Sequence, residues 1–252
     1  MMEGISLRGS KHRKWKYALL LIPIIAVLAA VFYVNDYYKA MPEAKNALAS
    51  SKNEDLKGTT WIEYTSKSGS ITKGLIIYPG GKVEPEAYAP LAKSISESGY
   101  KVVIVPMPLK LALLSPNKAS KVIAEYPEIK DWYIGGHSLG GVMAAQYAYK
   151  NQDKIKGLIL LASYPQSSNN LSSSDIKVLS IYGTRDGFVG KDKIDASRKL
   201  LPADTKWIPI DGGNHSQMGW YGFQKGDNAA HITREEQQKI VETSIIDFMA
   251  GT

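Results

Sequence analysis

Three regimes of hydrophobic and polar patterning follow one another along the chain. Residues 18–34 form an unbroken uncharged run, and residues 35–60 are mostly polar around Pro42, with one short helical stretch over 43–49. From Trp61 onward, short apolar runs alternate with longer segments of helical period. The runs predict strands over 61–65, 74–78, 101–106, 131–135, 157–162, 177–182 and 206–210. Between them the pattern predicts helices over 85–98, 118–125, 140–150, 191–200 and 233–249. The runs Val102-Val103-Ile104-Val105 and Leu158-Ile159-Leu160-Leu161 do not alternate, as expected of parallel strands covered on both faces. The predicted fold is α/β, a doubly wound and mostly parallel sheet, and such sheets bind ligands at the carboxyl ends of their strands.

Charge changes the picture at the N-terminus. Arg8, Lys11, Arg13, Lys14 and Lys16 stand against the single Glu3, so this flank supplies four of the chain's seven net positive charges. As a helix, the uncharged run over 18–34 would be roughly 25 Å long, enough for a thin bilayer. Tyr17, Phe32, Tyr33, Tyr37 and Tyr38 sit at its two ends, where aromatic rings favour the headgroup level. The expected division is a basic cytoplasmic segment over 1–17, a transmembrane anchor over 18–34, a linker over 35–60 and a globular domain over 61–252. The basic flank then places that domain outside the cell membrane. A signal peptide cut after Val27-Leu28-Ala29 is the competing reading, though it would leave a very apolar new terminus. Because most of the basic excess adjoins the apolar run, nucleic acid is not an expected partner. The 252-residue chain has no cysteine, which excludes disulfides, thiolate metal sites and cysteine nucleophiles.

The chemistry is expected just after strands. Gly136-His137-Ser138-Leu139-Gly140 lies where a predicted strand meets a predicted helix, and this G-x-S-x-G pattern makes Ser138 the candidate nucleophile. Four histidines are available as its base. His12 belongs to the basic flank, His137 precedes the serine and points away from it, and His231 precedes the last helix. His215, in the glycine-rich loop after the last strand, is the candidate. Asp186, after the strand over 177–182, is the expected orienting carboxylate, with Asp211 as its rival. The expected oxyanion donors are the N–H groups of Leu139 and of Gly81, with Lys82 the near alternative to Gly81. Tyr88, Met107, Met218 and Trp220 are candidate pocket walls.

These motifs resemble the α/β-hydrolase superfamily, in particular compact bacterial proteins similar to dienelactone hydrolases. The resemblance spans about residues 61–250. It is carried by Tyr78-Pro79-Gly80-Gly81-Lys82-Val83, Pro85-Glu86-Ala87-Tyr88, the elbow, Gly183 to Val189, Gly212-Gly213-Asn214-His215 and Ile232-Thr233-Arg234-Glu235-Glu236-Gln237. Dienelactone hydrolases use cysteine in the elbow, so Ser138 does not carry over their lactone specificity. Residues 163–176 are too short for a lid domain. The expected activity is hydrolysis of a small-molecule ester or related acyl compound through an acyl-serine, with no metal and no organic cofactor. An acyltransferase or peptidase with the same triad is the alternative, as is a non-catalytic binding domain at the cell surface.

Overall fold

The computed structural model describes residues 21–25, 27, 33, 35–49, 61–66 and 71–252. Seven strands form one sheet: β1 (Ile62–Thr65), β2 (Lys73–Tyr78), β3 (Lys101–Ile104), β4 (Asp131–His137), β5 (Gly157–Leu161), β6 (Lys177–Gly183) and β7 (Lys206–Ile210). Their spatial order is β1-β3-β2-β4-β5-β6-β7, with β1 antiparallel to β3 and every other pair parallel. The chain winds from β2 to β3 in one direction and then returns to lay β4 on the other side of β2. The carboxyl ends of β2 and β4 therefore flank the switch point, where open α/β sheets form their binding crevice.

Among the described residues from Tyr38 onward, the α-helices are α1 (Pro42–Leu48), α2 (Ala89–Glu97), α3 (Ala119–Glu125), α4 (Leu139–Lys150), α5 (Lys191–Ser197) and α6 (Arg234–Ala250). Side chains alternate across each strand, so the continuous apolar runs feed two separate cores. Leu75, Ile77, Val102, Ile104, Ile159 and Leu161 pack with α2 and α6 on one face. Ile76, Tyr78, Val103, Val105, Leu158 and Leu160 pack with α3 and α4 on the other. At the edge, β1 instead alternates, burying Ile62 and Tyr64 and leaving Glu63 and Thr65 half exposed. A capping box starts α6: Thr233 N–H donates to Glu236 Oε2 at 2.7 Å, and Glu236 N–H donates to Thr233 Oγ1 at 3.2 Å.

The N-terminal boundary differs from the expected one. The chain divides between Tyr37 and Tyr38, and residues 38–252 make one unit. Within it Ala40 and Ala44, expected in the linker, are buried core residues. Tyr38 pairs with Val83 and Ala40 with Tyr221. Small side chains let this stretch lie close against the domain, whereas its polar neighbours make it read as a connector. The predicted anchor over 18–34 lies largely outside the described residues. Residues 21–25 and 27 are helical, and Leu21, Ile22, Ile24, Ile25 and Val27 are exposed. Among the described residues no helix is long and apolar enough to cross a membrane.

Candidate active site

The turn from β4 into α4 is held by close backbone approach. Ser138 has φ 51° and ψ −121°, a region that disfavours a residue with a Cβ. A Cβ on Gly136 would come within 2.6 Å of the Gly140 carbonyl oxygen, and one on Gly140 would run into the carbonyl oxygens of Tyr78 and Pro79. Glycine at both positions is thus what lets α4 start directly against the ends of β2 and β4. From the neighbouring strand, Leu161 O accepts the Ser138 N–H at 3.0 Å, and Ser163 Oγ donates to Ser138 O at 2.8 Å. The serine is half exposed, at the carboxyl end of β4 beside the switch point.

Asp186 and His215 meet two and three strands away. His215 Nδ1 lies 2.8 Å from Asp186 Oδ2, with both side chains buried. The other oxygen, Asp186 Oδ1, accepts the N–H groups of Phe188 at 2.8 Å and Val189 at 2.7 Å. A carboxylate that accepts on both oxygens makes Nδ1 the protonated nitrogen of His215 and leaves Nε2 with a lone pair. The rival Asp211 is exposed, its Oδ1 accepts from Thr184 Oγ1 at 3.2 Å, and among the described residues it makes no hydrogen bond to His215. His231 is exposed as well, and His12 lies outside the described residues. Among the described residues Ser138 Oγ and His215 are not hydrogen-bonded to each other, a link that often tightens only with substrate in place. The elbow and the histidine loop nevertheless adjoin, because the His137 and His215 rings lie 4.5 Å apart.

Three successive N–H groups after β2 have different fates. Gly80 N–H donates to Tyr88 OH at 2.9 Å, and Lys82 N–H donates to Lys110 O at 2.9 Å. Gly81 N–H lies between them and, like Leu139 N–H, donates to no protein atom among the described residues. A Cβ on Gly81 would sit 3.3 Å from Leu139 Cδ2, so the two unused donors belong to residues in contact. Of the two alternatives, Lys82 is therefore the one whose N–H is already engaged.

Asp227 has no place in the sequence reading, yet it ties the two acid–base loops together. Its Oδ1 accepts from Gly187 N–H at 3.0 Å and Asn228 N–H at 2.9 Å, and lies 3.4 Å from His215 N. Its Oδ2 accepts from Ser216 N–H at 2.7 Å and Ser216 Oγ at 2.6 Å. From α6, Arg234 Nη1 donates to the carbonyls of Ser216 and Gly219. Asp227 sits in Lys225-Gly226-Asp227-Asn228, which has the composition of any polar turn, so no spacing marks it out.

The four expected wall residues separate. Met107 lines a cavity of about 250 Å³ beside the loop that holds Gly81, with Pro79, Val83, Glu84, Pro106 and Lys110. Trp220 lines a different groove with Pro90, Leu91 and Glu235, while Met218 and Tyr88 are buried in the core. The β5–β6 connection carries no helix or strand. Among the described residues no group of His, Asp and Glu side chains is arranged to hold a metal ion.

A strained serine at the strand-to-helix turn, on the same edge of a doubly wound sheet as a buried imidazole–carboxylate pair, is the architecture of an α/β hydrolase. The sequence matches the alpha/beta hydrolase family over residues 74–239, about two thirds of the chain, and the chain belongs to that family of hydrolytic enzymes. The match is to the family as a whole and does not single out a dienelactone-hydrolase-like subgroup. No curated protein matches the sequence. Among solved structures, Est1E from Butyrivibrio proteoclasticus, determined with ferulic acid bound, is similar with TM-score 0.56 at 15% identity, covering 78% of this chain and 98% of that one. A CIB-like hydrolase from Thermoplasma acidophilum gives TM-score 0.55 at 15% identity, covering 77% and 95%. The thermophilic esterase Est2 from Thermogutta terrifontis gives 0.51 at 12% identity, covering 74% and 86%. At these identities the likeness is one of fold.

Proposed function

We propose that the protein is a serine esterase acting on small acyl compounds, with Ser138 as nucleophile, His215 as general base and acid, and Asp186 as the group that orients His215. The observation that carries this reading is the buried 2.8 Å contact between His215 Nδ1 and Asp186 Oδ2, which leaves Nε2 as the basic nitrogen. Ser138 Oγ attacks the acyl carbon while its proton passes to His215 Nε2, and Asp186 stabilises the resulting imidazolium. The carbonyl oxygen becomes an oxyanion between the N–H groups of Gly81 and Leu139, each donor contributing about 3 kcal/mol in sites of this type. Collapse breaks the ester C–O bond, the alcohol leaves with the proton from His215, and the acyl group remains on Ser138. Water then gives a proton to His215, attacks the acyl carbon and releases the acid, and Ser138 regains its proton. Another alcohol or an amine in place of water would give acyl transfer, which product analysis with added nucleophiles distinguishes.

The test is fluorophosphonate labelling and ester turnover by the full chain, wild type against Ser138→Ala. Labelling of the wild type alone, with turnover lost in the folded variant, is the expected result; turnover that survives the substitution would remove Ser138 from this role. The basic flank and the uncharged run over 18–34 support a further part of the proposal, a single membrane span with the N-terminus in the cytoplasm and the hydrolase domain outside. Protease accessibility in intact cells whose outer layers have been opened tests it. Protection of the domain until the inner membrane is lysed would reverse the orientation.

A further inference from the structure

His137 and Tyr88 are two buried polar residues that the proposed reaction leaves unused. Tyr88 is fully buried and His137 is 1% exposed. The hydroxyl of Tyr88 accepts the Gly80 N–H at 2.9 Å and lies 2.8 Å from His137 Nδ1. Because the tyrosine has one proton and its oxygen already accepts from Gly80, that proton is available to His137 Nδ1 as acceptor. The imidazole then carries its own proton on Nε2, which has no hydrogen-bond partner among the described residues. Burial, and secondarily the neighbouring His215, push the His137 pKa well below its ordinary value of 6.5, which suits this neutral form.

The resulting chain of bonds runs from the residue before Ser138 to the peptide before Gly81, and so joins the two backbone segments that must cooperate on an oxyanion. It is tight enough to require glycine, since a Cβ on Gly80 would lie 2.7 Å from His137 Nδ1 and 3.0 Å from Tyr88 OH. On the other side, Lys82 N–H is held by Lys110 O. Gly81 is thereby bracketed: the N–H groups before and after it are taken up by Tyr88 and Lys110, and its own donates to no protein atom among the described residues.

We propose that Tyr88 and His137 are positioning residues that set the oxyanion hole by fixing the Gly80 peptide, which leaves Gly81 N–H as the aligned donor. The role rests on the esterase reading of the same site. A bond made to an oxyanion forms in the transition state, so disturbing its donor should act on kcat more than on KM.

The experiment uses the full chain with Tyr88→Phe, which keeps the ring and removes only the hydroxyl. With folding verified by thermal denaturation, kcat for a short ester should fall about 10- to 100-fold with KM changed less than threefold. Affinity for a boronic acid that mimics the tetrahedral intermediate should fall by the same factor as kcat. His137→Asn, which keeps an acceptor near the place of Nδ1, should retain more of kcat than His137→Leu. A folded Tyr88→Phe with kcat and boronic acid affinity within twofold of wild type would overturn the proposal. Amide hydrogen exchange separates this failure from failure of the esterase reading. If the wild type hydrolyses no ester, faster exchange at Gly80 together with slower fluorophosphonate labelling of Ser138 in Tyr88→Phe still supports the positioning role, and unchanged exchange at Gly80 refutes it.

Discussion

The two halves of the candidate site are built by different physics. On the Ser138 side the work is steric: Gly136 and Gly140 permit contacts that any Cβ would forbid, and Ser138 itself is held at φ 51°. On the His215 side it is polar. Asp186, Asp227, Arg234 and Gln237 satisfy backbone groups of the loops after β6 and β7, with Gln237 Oε1 accepting Asn214 N–H at 3.0 Å and its Nε2 donating to Asn214 O at 2.8 Å. A backbone shape is specified by small residues at fixed spacing. A polar network can be completed from anywhere in the fold.

The largest test of this contrast is on the acid. Asp186→Asn should lower kcat/KM by about 10⁴-fold, because an amide favours the wrong tautomer of His215, whereas Asp211→Asn should stay within about twofold. Kinetics on the two variants decide it, and comparable losses would return Asp211 to the site. Next, Gly140→Ala should destabilise the fold by about 3 kcal/mol, since its methyl group meets carbonyl oxygens rather than a side chain able to move. Urea denaturation measures this; a cost below about 0.5 kcal/mol would show that the elbow yields. Asp227→Asn should be milder. Its amide faces the Ser216 N–H or the Gly187 N–H as donor against donor, for a loss of about 1–2 kcal/mol in stability and roughly tenfold in kcat. Wild-type kinetics in this variant would mean that the network supports the fold without shaping the site.

The smallest effect concerns pH. The rings of Tyr88, His215 and Tyr221 lie around His137, whose pKa is depressed in the folded protein by burial first and by His215 second. Well above pH 6.5 the group is neutral folded or unfolded and contributes no pH dependence. Below it, the unfolded chain takes up a proton that the folded chain does not, so this residue removes stability at up to ~1.4 kcal/mol per pH unit. Denaturation at pH 7.5 and 5.5 should therefore show a steeper loss for wild type than for His137→Asn. Equal losses would place the responsible proton elsewhere.

The same contrast explains what the sequence made legible. All seven strands lie where apolar runs predict them, the central ones as continuous runs because both faces of the sheet are covered there. Ser138 is marked by its glycines and Gly81 by its neighbours, since both depend on local chain shape. Asp227 carries no such mark, for it lies 11 residues from Ser216 and 40 from Gly187 and acts on both through space. The bond between Tyr88 and His137, 49 residues apart, is equally silent. Residues 38–48 read as a connector for a related reason. The contacts that hold Ala40 and Ala44 are made by the folded domain, whereas their own local composition is that of a connector.

This last stretch carries a practical consequence. Tyr38 N–H donates to Lys82 O at 2.7 Å, Glu84 N–H donates to Tyr38 O at 3.0 Å, and Ala40 N–H donates to Glu84 Oε2 at 2.7 Å. A chain trimmed to start at Pro42 would strip these three bonds from the border of the loop that holds Gly81. Such a trimmed protein keeps every residue of the candidate triad, yet it should turn over esters more slowly than one that starts before Tyr38.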